Sequence, residues 1–217
     1  MITTIRKVTV TRLHIFDAVK STKKSEDLAY VCWFRLDKNN SEDMEKLKEI
    51  KKLCADNFKL KIGRKLNPAK DLVPFSDGAK YYEANLPDAE DFPDEHASFV
   101  RANEGGQDYW LVRCKFPAQW DSKPVFKIKT SKGSFRQLTE KDAKFAYAGA
   151  SFDITVSAYS HDNNSTGTGL NIHGGVFVGH GERLDSHYVF DESDFEDAPI
   201  FEDADDELET DVFEEDF

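Results

Sequence analysis

The chain has 217 residues, 41 acidic and 29 basic, for a net charge of −12, yet 15 of the acids and no Lys or Arg fall between Asp191 and Phe217. What remains is a body of 190 residues with 26 acidic and 29 basic side chains, long enough for one good core but tight for two. Three distant cysteines (Cys32, Cys54, Cys114) exclude a disulfide framework and a CxxC metal knuckle, and the longest apolar run, LAYVCWF at 28–34, is too short to span a bilayer as a helix.

The opening segment MITTIRKVTVTRLHIF carries charges throughout, unlike a signal peptide, and a soluble intracellular protein is expected. Residues 5–16 alternate as a strand does, with Val8, Val10 and Phe16 on one side and Thr9, Thr11 and Leu13 on the other. DAVKSTKKSED reads as a polar turn into a second strand, LAYVCWFRL. A helix follows over NNSEDMEKLKEIKKLCADNF: Asn40 or Ser41 can cap it, acids open it and lysines crowd its later turns. Met44, Leu47, Ile50, Cys54 and Phe58 give it an apolar stripe suited to a core.

From about 66 to 106 the pattern breaks up around Pro68, Pro74, Pro87 and Pro93, an SDG turn signal and the acidic patch PDAEDFPDE. This stretch reads as a long inserted excursion with at most short elements. Strand signals return in DYWLVRCKF, KPVFKIKT, GASFDITVSAY and TGLNIHGGVFVG. Five or six strands with one helix after the second fit a mainly β, closed or partly closed barrel. The expected organisation is a binding domain over 1–190 and a disordered acidic tail over 191–217, since a run of carboxylates cannot bury itself.

Alternation divides each strand into a core face and an outer face. In LAYVCWFRL the set Leu28, Tyr30, Cys32, Phe34 and Leu36 leaves Trp33 and Arg35 opposite. In DYWLVRCKF the set Trp110, Val112, Cys114 and Phe116 leaves Tyr109, Leu111, Arg113 and Lys115. In KPVFKIKT, Phe126 and Ile128 point in while Lys127 and Lys129 point out. Cations that follow phosphates beside rings that accept unpaired bases are what single-stranded nucleic acid requires. The competing reading is that Trp33 and Tyr109 complete a minor core under the 66–106 excursion. A second basic run, Lys59, Lys61, Arg64 and Lys65, either extends the positive surface or is an ordinary solvated loop.

Catalytic signatures are missing. There is no GxxxxGK loop, and the glycines of STGTGLNIHGGVFVGHGE lie in a turn and strand without a following helix, where they allow bends or close backbone approach. His173, His180 and His187 recur every seven residues, which in an extended chain separates neighbours by roughly 23 Å and argues against a shared metal. A binder without cofactor or metal is expected, not an enzyme.

Three stretches carry a resemblance: PFSDG at 74–78, YWLVRCKF followed by KPVF, and YAGASFDITVSAYSHDNNSTGTGLNIHGGVFVGHGERL at 147–184. With an acidic tail ending in Phe, these cover roughly two-thirds of the chain in order. The chain resembles the tailed-phage replicative single-stranded-DNA-binding proteins, the OB-fold group typified by the short-tailed coliphages. PDAEDFPDE has no counterpart in that pattern, and no base-stacking residue transfers by motif, so the DNA-binding residues named above rest on alternation.

The resemblance implies an OB-fold barrel that coats single-stranded DNA (ssDNA) regardless of sequence during phage replication, recombination and repair, in the cytoplasm of the infected bacterium. It implies that the tail meets the phage or host DNA polymerase and the helicase-primase, and that it supports homodimers by docking in a partner's groove. Toward basic pockets on those replication enzymes, Asp211, Glu214, Glu215 and Asp216 would supply electrostatic reach, with Phe213 and Phe217 as hydrophobic anchors. Three rivals stay open: an RNA-binding or RNA-chaperone barrel, an acidic-tailed adaptor that binds only proteins, and a phage nuclease.

Overall fold

The described residues form eight strands: β1 (Ile2–Lys20), β2 (Leu28–Asp37), β3 (Phe75–Asp77), β4 (Tyr109–Pro117), β5 (Val125–Lys129), β6 (Phe135–Gln137), β7 (Ser151–Asp162) and β8 (Thr166–Gly179). One long helix, α1 (Ser41–Ile62), follows β2, and a 3-10 helix spans Glu140–Phe145. The computed structural model describes residues 2–20, 27–81, 84, 108–120 and 122–184. The chain divides into two compact units, Met1–Ser186 and His187–Phe217, and the described residues all belong to the first. The acidic patch PDAEDFPDE, most of the excursion and the whole acidic tail lie outside the described residues.

The strands run in the order β3-β4-β2-β1-β7-β8-β5-β6, and an added parallel pairing of β4 with β8 closes five of them, β4-β2-β1-β7-β8, into a barrel. The closure is short, Cys114 opposite Leu170 and Lys115 opposite Asn171. Beyond it β4 and β8 part, and the start of the excursion fills the gap. Leu72 bonds on both sides of Gly167, its N–H donating to the Thr166 carbonyl at 3.0 Å and its carbonyl accepting from the Thr168 N–H at 2.8 Å. β3 then pairs with β4 from Phe75 opposite Val112 to Asp77 opposite Trp110. A Cβ on Gly167 would stand 2.6 Å from that of Leu72, so the close approach depends on the glycine. The excursion was expected to carry only short elements; its described part is a splint in the barrel wall.

Asn40 caps α1 as expected, its side chain accepting from the Glu42 and Asp43 N–H groups. The helix runs four residues beyond the expected Phe58, taking in Lys59 and Lys61, and stops at Gly63, whose φ of 81° is the left-handed cap glycine favours. Leu47, Ile50, Leu53, Cys54 and Phe58 are buried, while Met44 is only half-buried. The helix packs chiefly on β7, with further contacts to β2 and β8. The main core gathers Cys32, Phe34, Leu36, Val112, Cys114, Phe116 and Phe152, among others, much as alternation sorted β2 and β4. Phe34, Phe58 and Phe152 are fully buried, each contributing about 1.5–3 kcal/mol of apolar transfer. The three thiols are buried in this core. Desolvation pushes that of Cys54 up to about 12 and raises those of Cys32 and Cys114 well above the usual range.

β1 departs from simple alternation. Its pairing with β7 shifts between Ile5 and Val8, and its pairing with β2 shifts between Val10 and Arg12 and again between His14 and Val19. At the first bulge Lys7 takes φ 49°, and its N–H donates to Asp153 Oδ1 at 2.7 Å. At the second, the unpaired Thr11 is buried, and beyond it Ile15 is buried while Phe16 is half-buried, so Ile15 takes the buried place expected for Phe16.

Candidate nucleic-acid interface

The outer face of β1, β2 and β4 is held by arginines lying over rings. Arg12 lies 4.9 Å from the Trp33 ring centroid, Arg35 lies 4.5 Å from that of Tyr109, and Arg113 lies 5.3 Å from that of Tyr81. Register explains the grouping. Trp33 stands between Arg12 on β1 and Arg113 on β4, and Arg35 stands opposite Leu111, two pairs along, and so on the same face, from Tyr109 opposite Asp37. Each such contact is worth about 0.5–1 kcal/mol when exposed and more when desolvated, enough to hold a guanidinium in place without removing its charge.

Trp33 is 6% exposed, in a small cluster with Ala29, Val31 and Leu111, and Tyr81 meets it edge-on at 6.2 Å. In this arrangement it offers no open face to a base and acts by supporting Arg12 and Tyr81. The minor core weighed from sequence therefore forms around Trp33, while Arg35, Tyr109 and Arg113 stay half-buried and Lys115 is exposed. Arg113 is fixed from several sides: Nη2 donates to the Val73 carbonyl at 3.2 Å and to Ser76 Oγ at 3.3 Å, and its backbone N–H donates to the Pro74 carbonyl at 2.8 Å. Its Nε–H is buried with no hydrogen-bond partner among the described residues, a donor left unspent.

The second basic run sits elsewhere, at the C-terminal end of α1. Lys59, Lys61 and Lys65 are exposed there. Arg64 is taken up by Asp71, which accepts from both terminal nitrogens at 2.7 and 2.6 Å. Asp71 also accepts the Asn67 N–H at 2.7 Å, and its side chain is 2% exposed. The Arg64 hydrogen bonds, then that of Asn67, hold its carboxyl down to about 2. This pair fastens the splint, and the structure does not bring Arg64 to the β2–β4 face. Lys127 and Lys129 are exposed on β5, which pairs with β8 beyond the barrel closure. The tail residues Asp211, Phe213, Glu214, Glu215, Asp216 and Phe217 lie outside the described residues.

Sequence reasoning missed Arg12 and Tyr81. Arg12 follows a bulge that breaks the alternation, and Tyr81 follows β3 on a short helical turn that no periodicity marks. His173 donates or accepts at Ser157 Oγ, 2.7 Å away, and His180 stacks on Tyr147 with 3.1 Å between Nδ1 and the hydroxyl; each has a local structural role. Among the described residues no three acidic, His or Cys side chains gather as metal ligands, and no helix is long and apolar enough to cross a membrane.

No protein-family model and no curated protein sequence matches the chain. Among solved structures, the ssDNA-binding protein from bacteriophage Enc34 in complex with ssDNA is similar with a TM-score of 0.57 at 13% identity, over 84% of this chain and 88% of that one. A C-terminal truncation of the Enc34 protein gives 0.53 at 13%, over 84% and 88%. The ssDNA-binding protein gp2.5 of bacteriophage T7 gives 0.51 at 12%, over 88% and 98%. At such identities the likeness is one of fold: this OB-like barrel is the fold of phage ssDNA-binding proteins over most of the chain.

Proposed function

We propose that the chain binds single-stranded DNA, without sequence preference and without catalysis, along the outer face of β2 and β4. The observation that carries the reading is the set of arginines propped on rings there, with Lys115 beside them. β1, β2, β4, β7 and β8 follow the connectivity of an OB barrel, and OB barrels commonly take oligonucleotides on the face of their second and third strands, here β2 and β4. That step is analogy of fold, and the charge and rings on this face support it independently. Cations held at fixed positions suit a phosphate backbone, and Tyr109, with Arg35 against it, suits an unpaired base.

In this reading residues 1–190 form the binding domain, and residues 191–217, with 15 carboxylates, compete with DNA for it. DNA binding then frees Phe213 and Phe217 to anchor in basic pockets of a polymerase or helicase-primase. The test is a titration of labelled oligo-dT with the full chain and with residues 1–190, between about 50 and 200 mM salt. Steep salt dependence and tighter binding by the shorter form are expected. Equal affinity of the two forms at low salt refutes the competition; no binding by either refutes DNA binding and favours an adaptor. Stronger binding of oligo-U would move the assignment to RNA.

A further inference from the structure

β5 continues β4 along one edge of β8. Both strands run parallel to β8: Lys115 stands opposite Asn171, and Val125 to Ile128 stand opposite Gly174 to Phe177. Phe126 enters the core as Phe116 does, so the outer side of β4 leads onto the outer side of β5, where Lys127 and Lys129 are exposed. The antiparallel partner β6 places Phe135 directly opposite Lys129, and residues so paired share a face. Phe135 is 56% exposed. Trp120, three residues past the end of β4 in the link toward β5, is 46% exposed and meets Phe116 edge-to-face at 4.9 Å.

Residues 122–139 hold four lysines and one arginine and no acid, in a chain of net charge −12. Such a segment suits an anionic partner, and rings left open beside its lysines suit one with unpaired bases. The hairpin is also held in place. Arg136 donates to both carboxylate oxygens of Asp142 at 2.7 Å, and the Leu138 N–H donates to the Phe126 carbonyl at 2.8 Å.

Resting on the assignment of the β2–β4 face to ssDNA, we propose that the bound strand leaves the barrel at Lys115 and continues over Trp120 onto the β5–β6 hairpin. There Trp120 and Phe135 stack bases and Lys127 and Lys129 hold phosphates. Along β8 the added track from Asn171 to Phe177 is six residues, or roughly 20 Å, space for at most about six stacked nucleotides at ~3.4 Å each. The protein therefore has a two-part site, and its affinity rises in a second step with oligonucleotide length.

The test compares oligo-dT of about 8 and about 20 nucleotides on the full chain, lengths chosen around the 4–16 nucleotides an OB barrel covers. Phe135→Ala should weaken the longer oligonucleotide by about tenfold and the shorter by less than about twofold. The double variant Lys127→Gln/Lys129→Gln, at exposed positions, should lower the salt slope by about 1.4 on the longer one only. Tryptophan quenching that appears only with the longer strand should vanish in Trp120→Phe. Equal losses at both lengths, or none at either, overturn the extended track. Wild-type binding of the short strand with no gain from length defeats this proposal alone, whereas failure to bind either strand defeats the ssDNA assignment beneath it.

Discussion

Lys115→Gln separates a phosphate-binding face from a merely basic one. Lys115 is exposed on β4, opposite Val31 and Asn171, so its loss should leave the melting temperature unchanged. Arg113 is a poorer probe, because it also ties the splint to β4 through Val73 and Ser76. The face carries four cations, Arg12, Arg35, Arg113 and Lys115; with a slope of about −0.7 per single-strand phosphate, a short oligonucleotide should lose about 50-fold in affinity from 50 to 200 mM salt. With three cations the slope falls to about −2.1 and the loss to roughly 20-fold. Because counterion release fades toward molar salt, the variant should be weaker by about eightfold at 50 mM and about threefold at 200 mM. Fluorescence anisotropy with an oligo-dT of about 8 nucleotides reads both numbers. Lys48→Gln, on α1 beside Glu45 and 70% exposed, is the control and should leave the slope alone. If Lys48→Gln lowered the slope and Lys115→Gln did not, the DNA would lie on the helix side and the β2–β4 assignment would fall.

Gly174 has φ 151°, and a Cβ there would stand 2.0 Å from the Val125 carbonyl oxygen, so Gly174→Ala should part β5 from β8. A cost of about 1–3 kcal/mol, typical of overpacking, corresponds to a fall of roughly 2–12 °C in melting temperature, and long oligonucleotides should suffer before short ones. Thermal unfolding followed by circular dichroism reads the first, and an unchanged melting temperature would contradict the close approach. Asp71 stays ionised in the folded protein to about pH 2, against ~3.9 in an unfolded chain. Its contribution is therefore complete above about pH 5 and lost as pH falls through 4 toward 2. Urea midpoints should fall more steeply over that range for the wild type than for Asp71→Asn; parallel curves would show that the Arg64 clamp adds nothing.

The barrel's faces were legible because alternation is local, whereas its closure was not. Val112, Cys114 and Phe116 could be set against Arg113 and Lys115 from their order alone. Nothing local marks Cys114 and Leu170 as partners, since a parallel pairing depends on the whole intervening path. Three-residue strands such as β3 and β6 are too short to show a period, so the splint at 72–77 and the open ring of Phe135 went unread. The α1 terminus was missed for another reason: exposed Lys59, Leu60 and Lys61 hide the apolar stripe, though Gly63 was a readable stop. Trp33 shows the limit of face assignment. Alternation placed it outside the main core, correctly, but could not foresee that Tyr81 would arrive from the excursion and cover it.

That cover bears on how the site works. An exposed arginine on a bare strand samples many rotamers and must lose that freedom when it meets a phosphate, a cost of up to about 2 kcal/mol per side chain. Here Arg12, Arg35 and Arg113 already rest on Trp33, Tyr109 and Tyr81. Part of the ordering cost is met during folding, by ring contacts that do not themselves neutralise a guanidinium. Lys115, Lys127 and Lys129 are exposed instead, and their contribution should be almost wholly electrostatic and disappear with salt. The arginine contribution should persist further, because ring contact and bidentate geometry are screened less than the field of a solvated ammonium. On the proposed assignment, the face should therefore divide into a salt-resistant centre on the barrel and a salt-sensitive margin toward the hairpin.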